Sequence, residues 1–166
     1  MHDRNIMDTH PLSGAFLSNK LLRLVETIAD QGEALLTSAD ILIPPRAIST
    51  VLMIGELENV TAADIANSLD QPHQLATQRI DVLIKLGLIT KRPDTKDSRR
   101  KVLELTEEGE GQYKKLIEML GHIRTAMDTL YQELGCDVAG IAVKAVKALK
   151  ERPLIERISD GHDKLA

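Results

Sequence analysis

One stretch of the chain, residues 61–105, constrains the fold more than any other. Its first part predicts a short helix, because Thr61 followed three residues later by Asp64 is close to the capping-box pattern of a helix start. After a turn, Pro72 opens a second helix, which we expect to end at Gly87, since glycine readily adopts the left-handed conformation that terminates helices. The stretch therefore begins with two consecutive helices joined by a short turn.

The sequence period changes after the second helix. The runs 88–92 and 101–105 are typical of short strands, and Leu88 and Leu103 are available for a buried face. The polar, turn-rich segment 93–100 separates the two runs and predicts the loose tip of a two-stranded ribbon. Helix, turn, helix and hairpin in this order are the arrangement of a winged helix-turn-helix.

Charge is distributed unevenly along the chain. The 21 Lys and Arg and 25 Asp and Glu give a formal charge of −4, which as a total argues against a nucleic-acid partner. Residues 85–101, however, carry seven basic and two acidic side chains, a local charge of +5, which leaves −9 for the remainder. A basic flexible tip suits the minor groove of DNA, whereas the alternative is an ordinary solvated hairpin.

The second helix has the polarity expected of a recognition helix in the major groove. Its inward row is Ala76, Ile80 and Leu83, which leaves a polar open side that includes Asp81. Glutamine pairs with adenine, threonine offers a hydroxyl and a methyl group, and histidine contacts a phosphate or a guanine edge. The alternative is the solvated face of a core helix. The DNA-contact candidates on this helix are His73, Gln74, Leu75, Thr77, Gln78 and Arg79.

Long amphipathic helices flank these elements. Apolar side chains recur at steps of three and four through residues 12–37, and Pro44 and Pro45 then start a shorter helix. Thr106 caps a second long helix, and a last helix runs from a cap at Asp137. The second long helix carries an apolar seam with coiled-coil spacing, formed by Tyr113, Leu116, Leu120, Ile123, Met127, Leu130 and Leu134.

The overall composition narrows the class of protein. With three aromatic residues and no Trp, the core must be aliphatic, which favours helices. Cys136 is the single cysteine, so an internal disulfide and a multi-cysteine metal site are excluded, and a reducing cytoplasm is the expected location. We expect no signal peptide in the first residues and no membrane span or membrane partner.

Three segments together resemble the MarR (multiple antibiotic resistance regulator) family of transcription factors. They are the helix Thr61-Ala-Ala-Asp-Ile-Ala-Asn-Ser-Leu69, the Gly87-Leu-Ile run ending in Arg92, and Asp97-Ser-Arg99 followed by Leu105-Thr-Glu-Glu-Gly109. The last is similar to that family's D-x-R…L-T-x-x-G wing signature. The helical layout extends the resemblance over about residues 12–152.

The resemblance implies a homodimer that binds double-stranded DNA at a pseudo-palindromic operator, most commonly as a repressor. It implies that the helix from Pro72 enters the major groove and Arg99 the minor groove, while Asp97 steadies the wing by pairing with its arginine. The wing candidates for DNA contacts are Lys91, Arg92, Lys96, Ser98, Arg99 and Arg100, and Thr61 is the candidate for the DNA backbone. The expected dimer interface includes Leu17, Leu21, Leu130, Leu134, Val146 and Leu149.

The sequence thus predicts one mainly α domain with a small β-hairpin wing, over residues 1–166. Its expected parts are a flexible segment 1–11, dimerisation helices 12–40 and 107–152, a winged helix-turn-helix lobe 44–105 and a tail 153–166.

The sequence departs from the family pattern at three positions. Ser98 stands where a second arginine is common, so the wing tip is expected to rely on Arg99 and Arg100. Arg79 and Gln71 stand at positions that are usually apolar. Either the recognition helix is slightly rotated, or Arg79 reaches back to a phosphate.

Regulation and rival functions are less constrained by the sequence. The resemblance implies a small-molecule effector that shifts the spacing of the two recognition helices, with Arg46 as the polar candidate and no other cofactor. Cys136 is either an oxidation sensor or an inert thiol, and Glu118 with His122 supplies too few ligands for a metal site. The sequence lacks the common catalytic motifs, so we do not expect an enzyme. The alternative function is a winged-helix module that binds an acidic protein through its basic hairpin.

Overall fold

The computed structural model of the chain describes residues 6–94, 97 and 99–162. These residues are mainly helical with one antiparallel hairpin, which confirms the predicted fold class. Short 3-10 turns at Ser13–Phe16 and Pro45–Ala47 precede α2 and α3. The elements in order are α1 Ile6–Thr9, α2 Leu17–Ser38, α3 Ile48–Glu56, α4 Ala62–Ser68, α5 His73–Lys85, β1 Ile89–Pro93, β2 Lys101–Leu105, α6 Glu107–Leu134, α7 Val138–Glu151 and α8 Leu154–His162.

The chain divides into two compact units, Met1–Leu120 and Gly121–Ala166. The first unit contains the helix-turn-helix and the hairpin, and its aliphatic core is formed by the inward faces of α3, α4, α5 and the strands. The predicted inward row of α5, Ala76, Ile80 and Leu83, is completely buried. Leu88 and Leu103 are buried as well, as their positions in the two runs predicted.

Local chemistry fixes the ends of α4 and α5. Thr61 and Asp64 form a complete capping box at the start of α4. Asp70 adopts a left-handed φ of 49° in the turn, a conformation that Asp tolerates better than most residues. Gly87 ends α5 with φ of 71°, as predicted, and frees the chain to turn directly into β1.

The hairpin is anchored to the helices at two places. Its strands pair from Ile89 opposite Leu105 to Pro93 opposite Lys101. On its outer edge, the backbone N–H of Leu103 donates a 2.8 Å hydrogen bond to the carbonyl of Val60, which lies in the extended link before α4. The wing is therefore fixed to the segment that leads into the helix-turn-helix.

The second anchor explains the L-T-x-x-G part of the wing signature. Thr106 Oγ1 donates to the carbonyl of Gly87 at 2.6 Å and accepts from the backbone N–H of Gly109 at 3.0 Å. A Cβ at position 109 would collide with the carbonyl oxygen of Leu88, so only glycine permits this close approach. The motif thus joins the first turn of α6 to the base of the wing.

The terminal helices differ from the sequence expectation at both ends. Residues 6–9 form one helical turn, and Asp8 pairs with Arg23 of α2 at 2.9 Å. The expected tail from residue 153 instead contains α8. An apolar row on α8 gives it helical amphipathicity, and Arg157 stabilises the junction by donating a 2.8 Å hydrogen bond to the last-turn carbonyl of Ala148 in α7.

Candidate nucleic-acid interface

The open face of α5 presents the side chains that the sequence predicted. His73, Gln74 and Gln78 are exposed, and Leu75 is exposed to 36%. Thr77 is partly buried, and its hydroxyl donates a 3.0 Å hydrogen bond to the backbone carbonyl of His73 one turn earlier. The methyl group of Thr77 and the two glutamine amides are the groups on this face suited to base edges, and their direct contact with DNA remains a prediction.

Arg79 and Gln71 make a contact that the sequence did not predict. The Arg79 guanidinium donates a hydrogen bond from Nη1 to Gln71 Oε1, across the turn between α4 and α5. The two departures from the family pattern are thus partners of each other. Their joint departure, one in the turn and the other eight residues later on α5, was the available sequence signal. Whether Arg79 also contacts DNA remains a prediction.

The cap of α4 is an electrostatic centre of the lobe. Thr61 donates to Asp64 Oδ2 from its hydroxyl at 2.6 Å and from its backbone N–H at 2.9 Å. These two hydrogen bonds lower the pKa of Asp64, and the bond from the hydroxyl has the larger effect. The nearby charge of Arg100 lowers this pKa further. Because the Thr61 hydroxyl proton is already committed to Asp64, the predicted contact of Thr61 with a DNA phosphate would have to compete with the cap.

Several wing cations are paired with carboxylates of the lobe itself. Lys91 Nζ lies 3.5 Å from Asp81 Oδ1, which connects β1 to the open face of α5. Arg92 forms an ion pair with Glu104, its diagonal neighbour on β2, and donates to Asn59 Oδ1 at 3.4 Å. The sequence predicted these cations as DNA ligands without their carboxylate partners, although the strand register makes the Arg92 to Glu104 diagonal foreseeable.

Arg100 connects the tip of the wing to both of its supports. Its guanidinium lies 3.7 Å from Asp64 of α4 and 3.8 Å from Asp94, whose side chain is only 7% exposed. A carboxylate this buried is stabilised by a nearby cation. Arg100 therefore holds the wing against the helix-turn-helix in this structure.

Arg99 is arranged differently from its neighbour. Its side chain is exposed. Within residues 6–94, 97 and 99–162, its guanidinium makes no hydrogen bond or ion pair. Asp97 supports it through the backbone: Asp97 Oδ1 accepts the N–H of Arg99 at 3.0 Å, and its carbonyl accepts the N–H of Arg100 at 2.9 Å. The predicted wing candidates Lys96 and Ser98 lie outside the described residues.

The predicted dimer residues are apolar side chains at the surface. In the first unit, Leu17 is 55% exposed and Leu21 is 43% exposed. In the second unit, Leu134, Val146 and Leu149 are exposed, and Leu130 is partly buried. Apolar rows this open to solvent in an otherwise ordinary globular chain mark surfaces that associate with another surface.

The remaining candidates stay separate from this interface. Arg46 is exposed on the 3-10 turn before α3, so its effector role remains a prediction. A groove of about 760 Å³ lies beside the wing strands and is lined by Glu56, Glu58, Glu104, Glu110 and Arg92 among others. Cys136 is an exposed free cysteine.

In the part of the chain that the structure describes, no three His, Cys, Asp or Glu residues converge as metal ligands, and no helix has the length and apolarity of a membrane span.

The fold and the arrangement of α4, α5 and the hairpin define a winged helix-turn-helix protein. Residues 43–100, which span these elements, match the sequence model of the MarR family. This match to the MarR family model confirms the resemblance found in the sequence. No curated protein sequence matches the chain.

Solved structures extend the likeness of fold beyond this segment. The chain is similar to the transcriptional repressor CouR bound to a 23-mer DNA duplex, with a TM-score of 0.65 and 17% identity over 84% of this chain and 96% of that one. It is also similar to the M. tuberculosis transcriptional regulator MOSR in complex with DNA, with a TM-score of 0.65 and 17% identity over 83% of this chain and 98% of that one. For the adhesin competence repressor AdcR from Streptococcus pyogenes, the TM-score is 0.57 and the identity is 24% over 81% of this chain and 96% of that one.

Proposed function

We propose that this protein is a sequence-specific double-stranded DNA-binding transcriptional regulator that acts as a homodimer on a pseudo-palindromic operator. The observation that carries the proposal is the exposed polar face of α5 together with the exposed guanidinium of Arg99, on a lobe that matches the MarR family. An α-helix with glutamine and threonine on its open face fits the major groove, and an arginine at a wing tip fits the minor groove.

Two lobes are needed for a site of useful specificity. A single helix of this length reads only a few base pairs, whereas a two-fold dimer reads two half-sites about one DNA turn apart. The exposed apolar rows of α2 and α7 supply surface for such a dimer. CouR and AdcR, to which the chain is similar in fold, are both named as repressors, which supports repression as the mode of action.

The competing function, a module that binds an acidic protein, uses the same basic hairpin but not the face of α5. Gln74, Thr77 and Gln78 carry donor and acceptor groups suited to base edges and add little to the recognition of a carboxylate-rich surface. This face of α5 is the specific observation that favours DNA.

Arg99→Ala tests the proposal directly, with Lys144→Ala on α7 as a control of equal charge change. The probe is the promoter DNA that flanks the protein's own gene, titrated at several salt concentrations. We expect Arg99→Ala to weaken binding and to reduce the slope of log affinity against log salt by about 1.8 for the dimer, because each of the two protomers loses one phosphate-neutralising charge. The Lys144→Ala protein should bind like the wild type.

Two results would contradict the proposal. One is the absence of binding to this DNA at low salt. The other is an Arg99→Ala protein whose affinity and salt slope equal those of the wild type, which would favour the acidic-partner module instead.

A further inference from the structure

The contact between Arg79 and Gln71 connects the recognition helix to the helix that braces it. Gln71 lies in the turn, and its backbone N–H donates a 2.9 Å hydrogen bond to the carbonyl of Ala66 in α4. Its side-chain Oε1 accepts the hydrogen bond from Arg79 Nη1 on the second turn of α5. One residue is thus bonded to α4 through its backbone and to α5 through its side chain.

Arg79 lies on the flank of α5, between the buried row and the open face. It is partly buried, and among the residues that the structure describes its enclosed Nε has no hydrogen-bond partner. Burial of a guanidinium N–H without a partner is unfavourable and uncommon in native proteins. A side chain that reaches solvent or a phosphate freely would not leave Nε in this position, so the contact with Gln71 dominates the placement of Arg79.

A contact on the flank of a helix controls rotation of that helix about its own axis. The buried row of Ala76, Ile80 and Leu83 resists translation of α5, but aliphatic side chains tolerate small rotations better than a directional hydrogen bond does. At a side-chain radius of about 6 Å, a rotation of roughly 20° moves Gln74 and Gln78 by about 2 Å. A displacement of this size breaks a hydrogen bond to a base edge.

We propose that Arg79 is a positioning residue for sequence recognition, and that its hydrogen bond to Gln71 sets the rotation of α5 in the major groove. The proposal rests on the proposed function, and it replaces the view of Arg79 as a direct DNA ligand. Arg79 stabilises the orientation of the glutamine side chains and contributes no phosphate contact of its own.

The test uses the full-length protein and four variants. Arg79→Met and Gln71→Leu each remove one partner, the double variant removes both, and Gln71→Glu keeps an acceptor oxygen for Arg79. The probes are a duplex of about 25 bp selected by the wild type from randomised DNA, long enough for two half-sites, and a scrambled duplex of equal composition. Affinity for both probes is measured over a range of salt concentrations, and thermal unfolding confirms that each variant is folded.

We expect Arg79→Met and Gln71→Leu each to weaken binding to the selected duplex by about tenfold, the usual effect of one poorly recognised base pair. Binding to the scrambled duplex and the salt slope should not change. The double variant should lose little more than either single variant, because both act through one contact. Gln71→Glu should retain the selectivity of the wild type.

Two DNA results would overturn the proposed role of Arg79 and leave the proposed function intact. If Arg79→Met weakens both duplexes equally and lowers the salt slope by about 1.8 for the dimer, Arg79 is a phosphate ligand in each protomer. If Gln71→Leu binds the selected duplex like the wild type, the contact does not position α5. A wild type that selects no duplex overturns the proposed function itself, and the role of Arg79 in recognition with it.

Amide hydrogen exchange supplies a measurement that does not depend on DNA. Both single variants should exchange faster in the α4–α5 turn and in α5, while exchange in β1 and β2 stays unchanged. Equal exchange in the wild type and both variants would show that the contact does not hold the helix, whatever the DNA measurements give.

Discussion

The helix-turn-helix lobe and the terminal helices use similar amphipathic patterns with opposite results. In α5 the apolar row is completely buried, whereas in α2 only Leu36 is buried along 22 residues. In α7 no residue is buried, and Ile141, Val143, Val146 and Leu149 are all exposed. The apolar row of α5 is covered by its own lobe, whereas the apolar side chains named on α7 are exposed among the described residues. The difference indicates that the apolar row of α5 stabilises the lobe, whereas the exposed apolar rows of the terminal helices are surfaces for association with another chain.

The largest effect should come from a charge placed on an exposed apolar row. Val146→Asp should leave the fold of one chain intact, because Val146 is 54% exposed, but should separate the dimer. Loss of the second half-site should weaken operator binding by about a thousandfold. Light scattering gives the mass, and titration with operator DNA gives the affinity.

Lys144→Asp on the same helix is the matched control for Val146→Asp, since Lys144 is an exposed charged residue. It should remain dimeric and bind DNA tightly. A monomeric Val146→Asp protein that still binds the operator tightly would break the link between association and recognition.

Truncation of a core side chain in the lobe should instead lower the stability of the fold. Ile80→Ala removes a completely buried side chain and should lower the free energy of unfolding by about 3 kcal/mol. Val82→Ala, two residues away and 43% exposed, should change it by less than about 0.5 kcal/mol. Urea unfolding of both variants measures the contrast. Equal losses would mean that burial does not distinguish the two faces of α5.

The smallest effect concerns the cap of α4. Because the pKa of Asp64 is lowered from its ordinary value of 3.8, the folded state favours the ionised form. Its contribution is fully present above pH 3.8 and is lost as the pH falls through the lower pKa of the folded state. Asp64→Asn should cost about 0.5 kcal/mol at neutral pH, a small value because the carboxylate is half exposed.

The control for Asp64→Asn is Asp30→Asn, an exposed carboxylate on α2. Its unfolding free energy at neutral pH should match the wild type. If the deficit of Asp64→Asn persists undiminished well below pH 3.8, the cap does not act through the ionised carboxylate.

Much of the fold was predictable from sequence because local chemistry specifies it. Thr61 with Asp64, Gly87, and Thr106 with Gly109 fix helix ends through hydrogen bonds between near neighbours in sequence or across a short connection. The α8 helix was missed because its polar composition concealed a short apolar row.

The chemistry of the interface was less predictable, because it depends on pairs distant in sequence. Composition gives the charge of the wing, but not that Lys91 pairs with Asp81 or that Arg100 lies between Asp64 and Asp94. These pairs depend on strand register and on how the hairpin docks against the lobe. Sequence therefore predicted which elements form the candidate interface, and the structure was needed to separate exposed cations from paired ones.

The pairing of the wing cations also bears on how the protein would search a genome. Lys91, Arg92 and Arg100 already face carboxylates of their own lobe, so each phosphate they meet must displace an existing partner. Their contribution to dwell time on random DNA is correspondingly small. Because non-target sites outnumber an operator by about a millionfold or more, short dwell times there leave more of the protein free to find its operator.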